Sequence, residues 1–301
     1  MADGRVLLTG ATGFVGGHVA AAIRADGRPV RCLVRRPERA GRLREIGCEI
    51  VSGDMADAVG LASAAEDCDA VVHLVAIIAG RREQFERIME HGTRDLVAAA
   101  KAAGVRRFLL MSALGTTDAT RELVPYFHAK WEEERAVADS GIPYVTFRPS
   151  FVFGPDGGIL PSFLRMARYS PVMPLPGSGR QQIQPIWVDD VAAYFAKALG
   201  LEAAANRTFE LGGPDQVTWD ELFQRLRRTL HRRGTTIHVP TALLRPQAAL
   251  LERLPRPPLT RDMLKMLEAG DNVTSSADAV ETFGLPLVTL DEQLRRAAAR
   301  K

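Results

Sequence analysis

Residues Thr9 to Gly16 read Thr-Gly-Ala-Thr-Gly-Phe-Val-Gly, directly after the apolar run Val6-Leu7-Leu8 and before a helix-compatible stretch, Phe14 to Ala25. A strand, a glycine turn and a helix in that order are the elements of a dinucleotide-binding βα unit, and each glycine answers a separate demand of it. Gly10 permits the tight turn, Gly13 lets backbone N–H groups approach a pyrophosphate, and Gly16 lets the helix pack on the strand. Thr9, Thr12, Phe14 and Val15 complete the expected contact set of the turn. Phosphates placed there meet a helix N-terminus, where unpaired N–H groups and the helix dipole favour negative charge. The alternative is a glycine-rich turn that binds nothing.

Strands and helices alternate through the first half of the chain. Strands are predicted at 29–34, 49–52, 69–76, 107–112 and 144–148, and helices at 38–46, 59–65, 83–103 and 124–140. Short apolar strands alternating with amphipathic helices predict a parallel sheet covered on both faces. With right-handed crossovers this is the α/β doubly wound (Rossmann) arrangement, which takes ligands at the carboxyl ends of its strands. After Pro149 the texture changes: glycine and proline crowd 154–158 and 170–185, and shorter elements follow. Residues 1–150 are therefore expected to form the nucleotide-binding domain. Residues 151–301 are expected to form a smaller α/β lobe, with discontinuous contributions to the main sheet left open and 154–185 acting as a flap over the substrate.

Composition bounds the function class. The 301 residues are 46% hydrophobic and 25% charged, with a formal net charge of only +3. That is a globular average, and no block of like charge suits a nucleic acid. Arginine pairs such as Arg227-Arg228, Arg232-Arg233 and Arg295-Arg296 read as solvated helix faces. Cys32, Cys48 and Cys68 show no metal-ligand spacing and read as reduced structural thiols, so no metal is expected. The chain enters its first strand without room for a signal peptide, and its apolar runs fall well short of the roughly 20 residues of a membrane span. A cytoplasmic location is expected.

Two further features carry chemistry. At the end of the second strand, where NAD-binding sheets usually hold a carboxylate for the ribose hydroxyls, stand Arg35 and Arg36. A guanidinium grips a 2′-phosphate that a carboxylate would repel, so NADP(H) is favoured over NAD(H), unless both arginines merely solvate a loop. Asp54, after the third strand, is placed either to reach the adenine amino group or to cap the next helix. Next, Tyr126 and Lys130 lie four apart on a predicted helix and share a face. A neighbouring ammonium is expected to lower the phenol pKa, as a tyrosine acid/base requires. Lys130 also suits the nicotinamide ribose, and Ser112, ending the fifth strand, suits the reacting carbonyl. The plainer reading makes Tyr126 a half-buried core residue and Lys130 its solvated neighbour.

Taken together, Thr9–Gly16, Gly53-Asp54, His73-Leu74-Val75-Ala76, Ser112, Tyr126 with Lys130, Arg148-Pro149-Ser150 before Phe153-Gly154-Pro155, and Gln184 to Val191 resemble the short-chain dehydrogenase/reductase superfamily, in its extended or atypical branch. Leu33-Val34-Arg35, Met111 to Gly115 and Pro257-Pro258-Leu259-Thr260 further resemble bacterial relatives of the NADPH-binding accessory subunit of respiratory complex I. The resemblance covers nearly the whole chain and is weakest in the C-terminal third. It implies that Met55, Val75, Ala76 and Pro149 also contact the cofactor, and it implies pairing of two chains through the fourth and fifth helices. Two departures accompany it. Ser112 precedes Tyr126 by only fourteen positions, and Met89 and His91 stand near Gly92-Thr93, where active relatives carry a proton-relaying asparagine.

Three functions remain open at this point. One is an NADP(H)-dependent oxidoreductase acting on a small carbonyl or hydroxyl substrate between the lobes, with Tyr126, Lys130 and Ser112 catalytic. Another is a non-catalytic NADPH-binding scaffold or redox sensor of a respiratory assembly, and the third a nucleotide-sugar epimerase or dehydratase. Residues 241–254 gather Leu243, Leu244, Leu250, Leu251 and Leu254 beside Arg245 and Arg253, with Pro246 interrupting and Pro255, Pro257 and Pro258 ending the segment. The segment suits either a helix covering the smaller lobe's core or a basic face lying on a membrane.

Overall fold

The computed structural model describes residues 4–252, 254, 257 and 259–299; Arg253, Pro255 and Pro258 of the segment just discussed lie outside them. The chain opens with β1 (Val6–Thr9), α1 (Phe14–Ala25), β2 (Val30–Val34), α2 (Gly41–Glu45), β3 (Glu49–Ser52), α3 (Ala58–Ala65) and β4 (Ala70–His73). Every residue of β1 and β4 is buried, as strands with helices on both faces must be. β4 ends at His73, so Leu74, Val75 and Ala76 run past the sheet rather than within it.

The predicted long helix is present but not uniform. α4 (Arg82–Phe85) passes through a π-helical stretch, Glu86–His91, into α5 (Gly92–Ala102). β5 (Arg107–Met111), α6 (Pro125–Ala138) and β6 (Tyr144–Pro149) complete the alternation. The chain then makes β7 (Val152–Phe153), α7 (Leu160–Tyr169), β8 (Val172–Pro176), β9 (Gln182–Ile183) and β10 (Ile186–Trp187). There follow α8 (Val188–Ala198), β11 (Arg207–Leu211), β12 (Val217–Thr218), α9 (Trp219–Thr229), β13 (Thr235–Val239) and α10 (Thr241–Leu251). The last helices are α11 (Arg261–Glu268), α12 (Ala277–Phe283) and α13 (Leu290–Ala299).

Seven parallel strands form one sheet in the order β11-β6-β5-β4-β1-β2-β3. The order reverses between β1 and β4, and the register there sets Thr9 beside His73. Such a switch point is where doubly wound sheets take ligands. One unit holds the residues through Pro149 together with Val188–Leu211 and Ser276–Pro286, so β11 is the discontinuous contribution to the main sheet. Its last strand is secured by aromatics. Phe147 of β6 meets Phe195 and Tyr194 of α8, Phe209 of β11 and Phe283 of α12 with ring centroids 4.8–6.0 Å apart. Cys32, Cys48 and Cys68 are buried free thiols.

The second unit comprises Ser150–Trp187, Gly212–Ser275 and the residues from Leu287 on. Three two-stranded pairs, β7 with β10, β8 with β13 and β9 with β12, are its sheet structure among the described residues. α9 starts on a capping box, Thr218 with Glu221, and sets Trp219 and Phe223 edge-to-face with Phe163 of α7. Two expectations change here. Arg227 is not solvated but buried, and it donates to the Thr235 carbonyl. α10 runs on through Pro246 instead of breaking, because both Pro246 and Ala242, whose carbonyl loses its partner, are open to water. Ala248 is its one buried residue while Leu243 and Leu250 are 65% and 64% exposed, so α10 covers little with its leucines.

Candidate active site

The glycine turn is shaped by close approach of backbone to backbone. Gly10 has φ +76°, and a Cβ there would lie 2.9 Å from the Leu74 carbonyl carbon, while one on Gly16 would lie 2.1 Å from the Gly10 oxygen. Only glycine fits either place. Gly13 is the N-cap of α1 and donates its N–H to the Gly10 carbonyl at 2.9 Å. No side chain caps α1. Its first-turn N–H groups thus have no internal acceptor, which is the cradle a phosphate group needs. Thr12 is exposed, Phe14 half-buried and Val15 buried beside it.

Arg35 and Arg36 follow β2, which pairs directly with β1, and both are exposed. Asp54 is not the cap of the next helix: Asp57 caps α3 by accepting from Gly60, and Asp54 Oδ1 accepts the Ala56 N–H at 2.9 Å in a local turn. Met55 is buried, its carbonyl packed on Gly92. Pro149 ends β6 and accepts from Leu114 N–H at 2.9 Å.

From the turn a chain of buried side chains leads inward. Thr9 Oγ1 lies 2.6 Å from His73 Nδ1, and His73 Nε2 lies 3.0 Å from Thr93 Oγ1. Thr93 donates to Glu133 Oε1 at 3.2 Å. Lys130 Nζ donates to Glu133 Oε2 at 2.9 Å and to the Met111 carbonyl at 2.8 Å. Lys130 is 1% exposed and Glu133 not at all, so the lysine is no solvated neighbour of the tyrosine. Burial alone would pull the ammonium down, but the Glu133 carboxylate and then Tyr126 outweigh it and carry its pKa up.

Tyr126 sits half-buried in the first turn of α6 and packs, with Ala76 and Ile77, against the apolar cluster of Phe85, Met89 and Ala129. Met89 thereby fills with a thioether the region where active relatives were expected to place an amide. Contrary to the expectation from the sequence, the Tyr126 pKa is raised: desolvation among these side chains outweighs the attraction of Lys130, and Glu133 adds to the rise. Ser112 is buried, donates to Thr116 Oγ1 at 3.4 Å, and is held by a backbone bond to the Phe147 carbonyl. Thr93 and Glu133 went unread in the sequence. The one available signal was Glu133 standing three residues after Lys130, on the same helical face.

With the geometry in hand, similarity decides the family. Residues 10–160, which hold the glycine turn and the Tyr126–Lys130 pair, match the NAD(P)H-binding family. The chain belongs to this family. Within it, the chain is 30% identical to the ceramide reductase of Caulobacter vibrioides, across 83% of this chain and 78% of that one. It is 28% identical to subunit 9 of the 1 alpha subcomplex of mitochondrial NADH dehydrogenase of Arabidopsis thaliana, across 71% of this chain and 54% of the plant subunit. Its fold matches that of an NADPH-dependent quinone oxidoreductase from Escherichia coli solved with NADPH, at a TM-score of 0.78 and 23% identity, over 96% of this chain and 98% of that one. The chain is thus an α/β protein of the NAD(P)H-binding family with a Rossmann-like sheet.

Proposed function

We propose that the NAD(P)H-binding chain is an NADP(H)-dependent reductase of carbonyl substrates. The observation that carries this reading is Tyr126 on the first turn of α6 with Lys130 one turn on, its ammonium tied to the end of β5, in a chain whose α1 has no side-chain cap after the glycine turn. Thr9, Gly10, Thr12, Gly13, Phe14, Val15 and Gly16 would hold the pyrophosphate half of the cofactor. Arg35 and Arg36 would hold its 2′-phosphate, and Asp54, Met55, Val75, Ala76, Pro149 and Lys130 the remaining edges. When bound there, a dihydronicotinamide would supply a hydride to the carbonyl carbon. Tyr126, which burial keeps as a phenol near neutral pH, gives its proton to the carbonyl oxygen and regains one from solvent. Ser112 steadies that oxygen once its hydroxyl turns from Thr116.

A second reading keeps the cofactor and drops the chemistry. Met89 beside Tyr126, and Lys130 spent on Glu133, suit a nucleotide-binding accessory protein, and the plant NADH dehydrogenase subunit belongs to a larger assembly. In that reading the partner is a respiratory or membrane complex, or a second copy of the chain. Among the described residues no helix is long and apolar enough to cross a membrane.

The test is NADPH and NADH binding, then NADPH oxidation with a carbonyl panel that includes long-chain ketones, in wild type and Tyr126→Phe. A reductase binds NADPH, turns over, and loses about 10²–10⁴-fold in rate with the phenol removed. NADPH binding without turnover on any carbonyl selects the accessory protein.

A further inference from the structure

A buried carboxylate stands where no described role uses it. Glu133 is wholly enclosed, and its two oxygens are spoken for by Lys130 at 2.9 Å and Thr93 at 3.2 Å. Its neighbours in the chain meet different fates: Glu132 pairs with Arg94 and Glu134 with Arg148 of β6, both nearer the surface. Isolated burial of a carboxylate is costly, so its pairing with Lys130 is part of what keeps it inside.

The groups facing the Lys130–Glu133 pair are few. Tyr126 and Glu134 lie on the same helix, with Glu134 claimed by Arg148. From β4 comes His73, its Nε2 3.7 Å from Glu133 Oε1 and also 3.0 Å from Thr93 Oγ1. The α4–α5 helix contributes Thr93 and the apolar Phe85 and Met89. Glu133 is therefore the carboxylate that balances the Lys130 ammonium.

We propose that Glu133 is a positioning residue of this site: it anchors Lys130 against the end of β5 and balances the ammonium charge beside Tyr126. The proposal rests on Tyr126 being the proton donor of the reductase reading and names the residue that holds the lysine beside that donor. Glu133 also joins Lys130 to a longer chain of buried side chains. Through Thr93 and His73 it links Lys130 to Thr9 at the mouth of the phosphate turn.

The test needs neither cofactor nor substrate. Ionisation of Tyr126 is followed by ultraviolet absorbance of tyrosinate across alkaline pH, with the signal isolated from the four tyrosines by subtracting Tyr126→Phe. In Glu133→Gln, Lys130 faces the phenol unbalanced, and the Tyr126 midpoint is expected to fall by roughly one pH unit or more. A folded Glu133→Gln protein with an unmoved midpoint overturns the proposal, since a merely structural glutamate shifts melting temperature and not this titration. If Glu133→Gln does not fold, Glu133→Asp keeps the charge and withdraws it by one methylene. A smaller fall is then expected, and a wild-type midpoint overturns the proposal. A shifted titration in a protein that binds NADPH yet reduces nothing sinks the reductase reading alone. Turnover with an unshifted titration sinks this inference alone.

Discussion

Arg35 is the residue on which the proposed preference for NADP(H) over NAD(H) turns. It is exposed at the end of β2, beside the strand that carries the phosphate turn. A charge-assisted bond to the 2′-phosphate is worth about 1.5–3 kcal/mol, so Arg35→Ser is expected to weaken NADPH binding by roughly 10- to 100-fold and leave NADH unchanged. Nucleotide fluorescence titrations check this, and equal losses for both nucleotides would assign Arg35 to the loop alone. At this scale much was legible. Gly10 and Gly16 stand where a Cβ would strike backbone, and the shared face of Tyr126 and Lys130 follows from helical spacing. Glu133 was not, because Trp131-Glu132-Glu133-Glu134 reads as a solvated run. Which of three consecutive carboxylates turns inward is set by partners far along the chain, Thr93 among them, and no local pattern carries that. The sign of the Tyr126 shift escaped for the same reason: the apolar cluster around it is assembled from α4, the π-helical stretch, α6 and the chain after β4.

At the scale of elements, the seventh strand depends on one ring. Phe147 is fully buried and touches aromatics from α8, β11 and α12 at once. Phe147→Ala is expected to destabilise the first unit by about 3–5 kcal/mol, since segments held from several sides cannot all collapse into the void. Urea unfolding measures it, and a loss below about 1 kcal/mol would mean that β11 docks without the ring. The alternating strands and helices through β6 were readable because apolar runs of four to six residues stand between amphipathic helices. Strands β7, β9, β10 and β12 have two residues each, too few for alternation to register. The π-helical stretch was equally invisible, since its extra residue per turn leaves the helical pattern of Arg82 to Ala102 nearly intact.

Across the whole molecule, alkaline pH works against the fold. Tyr126 and Lys130 hold their protons more tightly folded than unfolded, the Cys68 thiol is pushed up by burial, and Tyr194 is pushed up to about 12 by burial and then by Asp190. A raised folded pKa contributes stability that is complete below the unfolded value and lost as pH rises through the folded one. The urea midpoint is therefore expected to fall from pH 8 toward pH 11, with a shallower fall in Tyr194→Phe. A midpoint that stays level across that range would contradict the raised values. The interrupted course of the chain through the first unit has a different consequence, for how the protein is made and how it can be cut. β6 is translated well before β11, so during synthesis its outer edge waits unpaired, a template for association with other chains, until Arg207–Leu211 emerges and the ring of Phe283 follows later still. A graft of the nucleotide-binding unit into another protein must therefore carry Val188–Leu211 and Ser276–Pro286 along with everything through Pro149, because a cut at Pro149 leaves a sheet with one sticky side.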